Sequence, residues 1–258
     1  MDHPLKDHIE EAKRVVGEAE RRGLVLRVMG ATAFKIHCPK FSSLHNALKR
    51  ELTDIDFMAY GERERETLTL FQDLGYTIDE RMIYALRLIT PGQRYIFHDF
   101  KNNRTVDVFF DRLEMCHMID FRDRLEIDYP TIPVSDLLLE KMQIVKINEK
   151  DIKDSIVLLR EHEVGVSDDE MVNATYIAKI LSNDWGFWYT AIMNLNKVKW
   201  FASKYEALTK LDVSDIEAKI NRLLEAIERE PKSFKWKMRA RVGAKKKWYR
   251  EVEEVVRN

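Results

Sequence analysis

The sequence predicts an α+β protein, with a small mixed β-sheet and flanking helices followed by an all-α C-terminal region. Before residue 130, short apolar runs of strand length alternate with amphipathic helical segments, and glycines separate them. After Pro133 the pattern is helical throughout. We therefore divide the chain into a first region of residues 1–130 and a second region of residues 131–258.

The first region begins with a predicted helix at 5–22, where apolar side chains recur at three- and four-residue spacing before Gly23 ends it. Apolar runs at 24–29 and 55–60 predict buried strands, and residues 31–37 and 62–74 predict helices. Residues 38–50 predict a loop or an irregular helix. The segments 94–100 and 104–110 alternate like paired strands around a turn at 101–103, whereas 76–93 fits no single pattern.

The second region is predicted to contain six helices, with N-caps at Asn148, Ser167 and either Asp212 or Ser214. Their predicted ranges are 134–147, 149–163, 168–182, 186–205, 213–229 and 244–256.

Composition sets limits on function. Apolar residues make up 45% of the 258 residues, which is enough for a substantial core, and the net charge of −1 favours neither a nucleic-acid binder nor a membrane-surface protein. The two cysteines, Cys38 and Cys116, indicate no disulfide framework and no cysteine metal site. With no apolar stretch of bilayer length and no signal-peptide pattern, we expect a soluble, cytoplasmic protein.

Three acidic residues on two predicted strands form the candidate catalytic group. Asp54 and Asp56 are two residues apart, so they point to the same side of one strand, and Asp107 lies on a later strand. If the strands are neighbours, the three carboxylates repel one another unless a cation lies between them. Mg²⁺ is the natural cation because it prefers oxygen ligands and leaves positions open for substrate phosphates. Two such ions clamp an in-line displacement at phosphorus.

The turn at Gly30 supplies a complementary feature. A glycine between a strand and a helix N-terminus lets the backbone approach a phosphate, and the helix dipole favours its negative charge. Thr32 adds a hydroxyl there. Each feature alone has a structural interpretation, since an Asp-x-Asp pair often only caps a strand. Their order along the chain favours the functional one.

These residues resemble the nucleotidyltransferase superfamily with the DNA polymerase β-type catalytic core, over about residues 24–163. The resemblance is closest to small bacterial and archaeal antibiotic adenylyltransferases and abortive-infection toxins. The matching motifs are Gly30-Ala31-Thr32, Asp54-Ile55-Asp56 and Asp107. Arg50 and Thr53 stand where the group has an arginine and a threonine. Many members have Gly-Ser where this chain has Gly30-Ala31. The serine hydroxyl that contacts a phosphate in those members is missing here, unless the hydroxyl of Thr32 replaces it.

The resemblance implies a magnesium-dependent enzyme, with about two Mg²⁺ ions held by Asp54, Asp56 and Asp107. It would transfer a nucleoside monophosphate from an NTP to a hydroxyl acceptor. The turn at 30–32 would contact phosphates, with Arg50 and Thr53 nearby. The sequence leaves the acceptor open among a small molecule, tRNA and a protein.

Lys141 lies on the apolar face of its predicted helix. The residues alone leave two interpretations, an ammonium that extends to the helix edge and one that reaches a phosphate or a carboxylate. By resemblance, Lys141 is directed at nucleotide phosphates, and Asp151 and Asp154 match an aspartate-rich helix that follows. A structural role at the helix N-terminus is the alternative for both aspartates.

Residues 232–250 contain nine lysines and arginines, no acidic residue and four interleaved aromatic residues. This composition fits either an RNA-contacting surface or a solvated basic face with aromatics packed inward. Two rivals to the enzyme interpretation remain. One is a catalytically silent nucleotide-binding or toxin–antitoxin regulatory protein, and the other is an RNA-binding module built on residues 232–250.

Overall fold

The computed structural model describes residues 3–78 and 94–252. The chain forms two compact units, the first of Met1–Leu113 with Ile119–Pro133 and the second of Glu114–Met118 with Val134–Asn258. The fold class predicted from the sequence is confirmed. Most of the segment 76–93, whose pattern was ambiguous, lies outside the described residues.

The first unit contains a five-stranded mixed sheet with strand order β1-β2-β5-β4-β3. Its helices are α1 His8–Arg21, α2 Gly30–His37, α3 Ser42–Ala47 and α4 Glu64–Asp73, and its strands are β1 Leu26–Met29, β2 Asp54–Ala59, β3 Thr77–Ile78, β4 Arg94–Asp99 and β5 Arg104–Phe110. Two short strands, β6 Arg112–Glu114 and β7 Met118–Asp120, pair separately. Within the first sheet only β2 and β5 pair in parallel among the described strands.

One face of the sheet is apolar because alternate residues of the strands are large and hydrophobic. Phe57 and Phe97 on this face are fully buried, and Phe71 of α4 contacts both, at ring-centroid distances of 5.6 and 4.6 Å. The buried side chains of α1 pack beside α4 on the sheet. With this face filled by apolar side chains, the opposite face of β2 and β5 carries the polar residues.

The second unit is helical apart from a two-residue parallel strand pair, β8 Val164–Gly165 with β9 Val172–Asn173. Its described helices are α5 Val134–Met142, α6 Glu149–Glu161, α7 Ala174–Leu181, α8 Trp185–Ala202, α9 Lys210–Arg229 and α10 Phe234–Val242.

Asn148 caps α6 as predicted, but the other two cap predictions are wrong. Asn173, rather than Ser167, accepts from the backbone at the start of α7. Thr209 caps α9 through a reciprocal capping box in which Asp212 is the third helical residue. The predicted helix at 244–256 is also wrong over its described part, since a short 3₁₀ turn at Gly243–Lys245 ends the helical structure. No helix among the described residues is both long and apolar enough to cross a membrane.

Candidate active site

The sheet brings the three predicted carboxylates to one face. Asp56 pairs directly with Asp107 in the parallel register of β2 and β5, and Asp54 lies two residues before Asp56. Paired residues on neighbouring strands share a face and lie about 5 Å apart. The side chains of Asp54 and Asp56 are half-buried, whereas Asp107 is 1% exposed. Acidic residues about fifty positions apart in sequence therefore lie on one face of two neighbouring strands, and we refer to them as the acidic group.

Gly30 fits against this group as no other residue can. It has a left-handed φ of 63°, and a Cβ atom there would lie 2.1 Å from Oδ2 of Asp56. Its neighbour Met29 pairs with Asp56 across β1 and β2, which places the turn beside the carboxylate. The absence of a side chain at Gly30 thus makes room for the Asp56 carboxylate at the N-terminus of α2.

The hydroxyl of Thr32, which was predicted to contact a phosphate, bonds to the protein backbone instead. Its side chain is buried, and its hydroxyl donates to the backbone carbonyl of Asp54 at 3.4 Å. Thr32 therefore links α2 to the start of β2. Ala31 is buried as well, and no side chain caps α2 because its N-cap residue is Met29. The N-terminal amides of α2 remain the part of this turn that is suited to an anion.

Arg94 is a member of the site that the sequence interpretation missed. Its Nη2 donates to Oδ2 of Asp107 at 2.9 Å, and its guanidinium lies 5.1 Å from the ring centroid of Phe109. Arg94 pairs with Phe109 across β4 and β5, on the same face as Asp107. The alternation of β4 had indicated a polar face but not which carboxylate would meet it. The ion pair orients Asp107 and offsets part of the negative charge.

A cleft of about 590 Å³ lies beside the start of β2. This volume is within the range of small-molecule sites, which is about 300–1,000 Å³. Three of its lining residues are the cations Lys35, Lys49 and Arg50, and its lining ends at Leu52, two residues before Asp54. Thr53 is exposed between them, and its hydroxyl lies 3.3 Å from Oδ1 of Asp54. The described structure thus places positive charge next to the acidic group.

His8 lines the same cleft. Burial lowers the pKa of His8 below 6.5, and the positive charge of Arg104 lowers it further, although Asp7 and Asp54 act in the opposite direction. His8 is therefore mostly neutral at pH 7. The charged side chains that line the cleft are therefore the cations Lys35, Lys49 and Arg50 together with the acids Asp7 and Glu51.

Lys141 lies in the second unit, where it is buried and surrounded by carboxylates. Its Nζ is 3.0 Å from Asp151, 3.6 Å from Asp154 and 3.6 Å from Glu140. Burial alone lowers the pKa of Lys141, but the charges of Asp151, Glu140 and Asp154 outweigh it and raise the pKa above its usual value. Lys141 reaches carboxylates of its own unit, so the interpretation that it extends to the helix edge is wrong. Its predicted role toward phosphates stays a prediction.

The donor set of the first unit suits Mg²⁺. Three carboxylates on one face supply hard oxygen ligands, and the space left by Gly30 adjoins one of them. The N-terminus of α2 and the cations of the cleft are suited to phosphate oxygens. The residue types on this face therefore suit a divalent cation together with a polyphosphate.

No family model and no curated protein matches the sequence. Among solved structures, the chain is similar to the antibiotic-resistance factor ANT(2'')-Ia in solution, with 13% identity, a TM-score of 0.41 and coverage of 67% of this chain and 93% of that chain. It is also similar to ANT(2'')-Ia in complex with adenylyl-2''-tobramycin, with 14% identity and a TM-score of 0.35. That match covers 58% of this chain and 86% of that chain. A third similar structure is a tRNA-processing enzyme, with 14% identity and a TM-score of 0.31. That match covers 89% of this chain and 60% of that chain.

TM-scores below 0.5 do not identify a substrate or an activity for this chain. The functional interpretation therefore depends on the geometry of the site.

Proposed function

We propose that the first unit is a magnesium-dependent nucleotidyltransferase, which moves a nucleoside monophosphate from an NTP to a hydroxyl acceptor and releases pyrophosphate. The observation that carries the proposal is the convergence of Asp54, Asp56 and Asp107 on one sheet face, with Gly30 open toward Asp56. The cations Lys35, Lys49 and Arg50 of the adjoining cleft support it, because a triphosphate brings several negative charges that cations must offset.

Each residue has a distinct task in this proposal. Asp54, Asp56 and Asp107 would hold Mg²⁺, and the amides at 30–32 with Arg50 would bind phosphate oxygens. Mg²⁺ when bound would neutralise charge on the phosphates and on the leaving oxygen. The acceptor oxygen forms a bond to the α-phosphorus while the bond to the pyrophosphate oxygen breaks. Asp107, which Arg94 holds in place, would accept the proton of the acceptor hydroxyl.

Positioning and electrostatic stabilisation together supply most of the rate enhancement in this class of reaction. Thr32 contributes by linking α2 to β2 at the carbonyl of Asp54. The acceptor remains a small molecule, tRNA or a protein in this proposal. The protein is further proposed to act in the cytoplasm.

The test uses two labels on the same NTP. The protein is incubated with Mg²⁺, a cell extract and NTP labelled at either the α- or the γ-phosphate. Transfer of the α-label without the γ-label is expected for a nucleotidyltransferase, and Asp54→Ala/Asp56→Ala is expected to abolish it. Transfer of the γ-label would indicate a kinase, and α-label transfer unaffected by the double substitution would refute the assignment of the site.

A second candidate is a nucleotide-binding protein without turnover, in which the Arg94–Asp107 ion pair keeps one carboxylate engaged. Magnesium-dependent NTP binding without transfer of either label, in extracts from several sources, would favour it. Arg94→Gln that restored transfer would identify the ion pair as the cause.

A further inference from the structure

The end of the second unit presents an unusual concentration of positive charge. Residues 232–250 contain nine lysines and arginines and no acidic residue. They include α10 Phe234–Val242, in which no residue is buried. Most of its side chains are exposed and therefore available for contact.

Four of the nine cations have structural partners. Lys232 donates to the carbonyls of Ile227 and Glu228 at the end of α9. Arg239 donates to the carbonyl of Gly243 at 2.7 Å, and its guanidinium lies over the Trp185 ring at 4.7 Å. Lys247 pairs with Glu251, and Arg250 pairs with Glu114. These cations hold the segment in place.

The other five cations are exposed to solvent. Within residues 3–78 and 94–252, no carboxylate lies within ion-pair distance of any of them. They are Lys235, Lys237, Arg241, Lys245 and Lys246. We define these five side chains as the basic surface.

The aromatic residues divide into two groups. Trp236 packs edge-on against Trp188, and Trp248 packs in the same way against Tyr189, each at a centroid distance of about 5 Å. These rings fix α10 and the following loop to α8. Phe234 is 80% exposed and leads an apolar row with Met238 and Val242 at four-residue spacing, beside the basic surface.

We propose that the basic surface and Phe234 form a binding site for single-stranded nucleic acid. Five cations provide contacts for successive backbone phosphates, and an exposed aromatic ring provides a platform on which a base stacks. This arrangement extends the RNA-contact interpretation of the sequence, and it refers to binding alone, whatever reaction the first unit performs. The inward packing of Trp236 and Trp248 supplies the rigid support for the surface.

An anionic membrane fits this surface less well. Helices that lie in a membrane interface direct tryptophan and other large apolar residues into the lipid. Here the tryptophan of α10 faces the protein, and the nine-residue helix leaves only three apolar side chains exposed. The five cations suit the row of phosphates in a nucleic-acid strand. The three exposed apolar side chains are few for insertion into a lipid surface.

The test measures fluorescence anisotropy of labelled 20-nucleotide single-stranded RNA and DNA with the full chain carrying Asp54→Asn/Asp56→Asn, in the absence of NTP. These substitutions remove the proposed activity, so binding and catalysis are judged separately. Raising the salt from 50 to 200 mM is expected to weaken binding by about 100-fold, for about five phosphate contacts at a slope of about −0.7 each.

Neutralising the basic surface with five Lys/Arg→Gln substitutions is expected to remove most of this salt dependence. The control neutralises five exposed lysines elsewhere in the second unit, and it is expected to keep the salt slope. Its substitutions are Lys146→Gln, Lys179→Gln, Lys197→Gln, Lys204→Gln and Lys210→Gln. Equal losses in the two variants would refute a specific surface.

Phe234→Ala is expected to weaken binding at least fivefold with no change in salt slope, because stacking carries no counterion release. The control Leu211→Ala truncates a side chain of similar exposure, 79%, and is expected to have no effect. Equal affinity for duplex and single strands would refute the stacking role. Binding to phosphatidylserine vesicles but not to either oligonucleotide would overturn the proposal in favour of a membrane.

Discussion

The two units each contain a cluster of three carboxylates, but the clusters differ in how their charge is balanced. In the first unit, Asp54 and Asp56 are half-buried beside the turn at Gly30. In the second unit, Glu140, Asp151 and Asp154 are each less than 10% exposed and surround the ammonium of Lys141.

The difference shows what separates a candidate metal site from a structural ion cluster. In the second cluster the ammonium of Lys141 lies within 4 Å of all three carboxylates, whereas in the first cluster Arg94 pairs with Asp107. The first cluster is next to a cleft and a helix N-terminus and can exchange ligands with solvent. Substitutions are therefore expected to affect stability mainly at Lys141 and function mainly at Gly30.

The largest expected effect is on folding of the second unit. Lys141→Met leaves three buried carboxylates without their cation, so we expect the free energy of unfolding to fall by about 3–5 kcal/mol. Urea unfolding followed by tryptophan fluorescence measures it, since all five tryptophans lie in the second unit. The control Arg229→Met breaks an exposed pair with Glu225 and is expected to cost under about 0.5 kcal/mol. Equal losses would show that the buried cluster is not a structural unit.

Gly30→Ala is expected to act on function more than on stability. The new Cβ would meet Oδ2 of Asp56, and displacing that carboxylate is expected to reduce nucleotidyl transfer by about 100-fold. Gly23→Ala is the control, because Gly23 has a similar φ of 68° with nothing within 4 Å of its Cβ position. Both variants should lose about 1–2 kcal/mol of stability from backbone strain. An activity loss of the same size in both would remove Gly30 from the site.

Acidification is expected to weaken the second unit through His117. Burial lowers the pKa of His117 from 6.5 to about 4, and its ring stacks on Phe187 and bonds to Thr190. In the unfolded chain His117 binds a proton near pH 6.5, whereas in the folded chain it stays neutral until about pH 4. The contribution of His117 to the free energy of unfolding is therefore complete above pH 6.5 and decreases as the pH falls toward 4. From pH 7.5 to 5 the loss is about 2 kcal/mol.

Urea unfolding at the two pH values measures this loss. His117→Gln has no group that titrates at this position, so its fall in stability is expected to be about 2 kcal/mol smaller than that of the wild type. An identical fall in both proteins would assign the acid sensitivity to another group.

The smallest effect is expected at Arg94. Removing this cation from beside Asp107 with Arg94→Gln is expected to tighten Mg²⁺ binding about fivefold, because one repulsive charge is lost. Calorimetric titration with Mg²⁺ measures the change, and Arg63→Gln, which breaks an exposed pair with Glu66, is the control. Weaker Mg²⁺ binding in Arg94→Gln would mean that the ion pair prepares Asp107 for the metal instead of competing with it.

The sequence predicted strands at the three aspartates because strand periodicity is a local property. Asp54, Asp56 and Asp107 lie on apolar runs short enough to be strands, and the chain order matched a known motif. Register depends on pairing between distant segments, so the direct pairing of Asp56 with Asp107 and the contact of Arg94 with Asp107 required the structure. The buried role of Thr32 also depends on tertiary packing.

Helix prediction failed where burial does not determine the pattern. The helix α10 has no buried residue, and its short apolar row at Phe234, Met238 and Val242 is exposed beside basic residues, so the spacing gave only a weak signal. Its N-cap Ser233, which accepts from Trp236, was the local signal available. At α9 the Thr209-x-x-Asp212 pattern of a capping box was present in the sequence, but Asp212 was interpreted as the cap itself.

The proposed role of the acidic group is tested most directly by calorimetric titration of the protein with a non-hydrolysable NTP, with and without Mg²⁺. The wild type is expected to bind the nucleotide only with Mg²⁺, and Asp54→Asn/Asp56→Asn is expected to lose that binding while unfolding at an unchanged urea concentration. Equal, magnesium-dependent binding by the folded double variant would contradict the proposal that these carboxylates hold the metal.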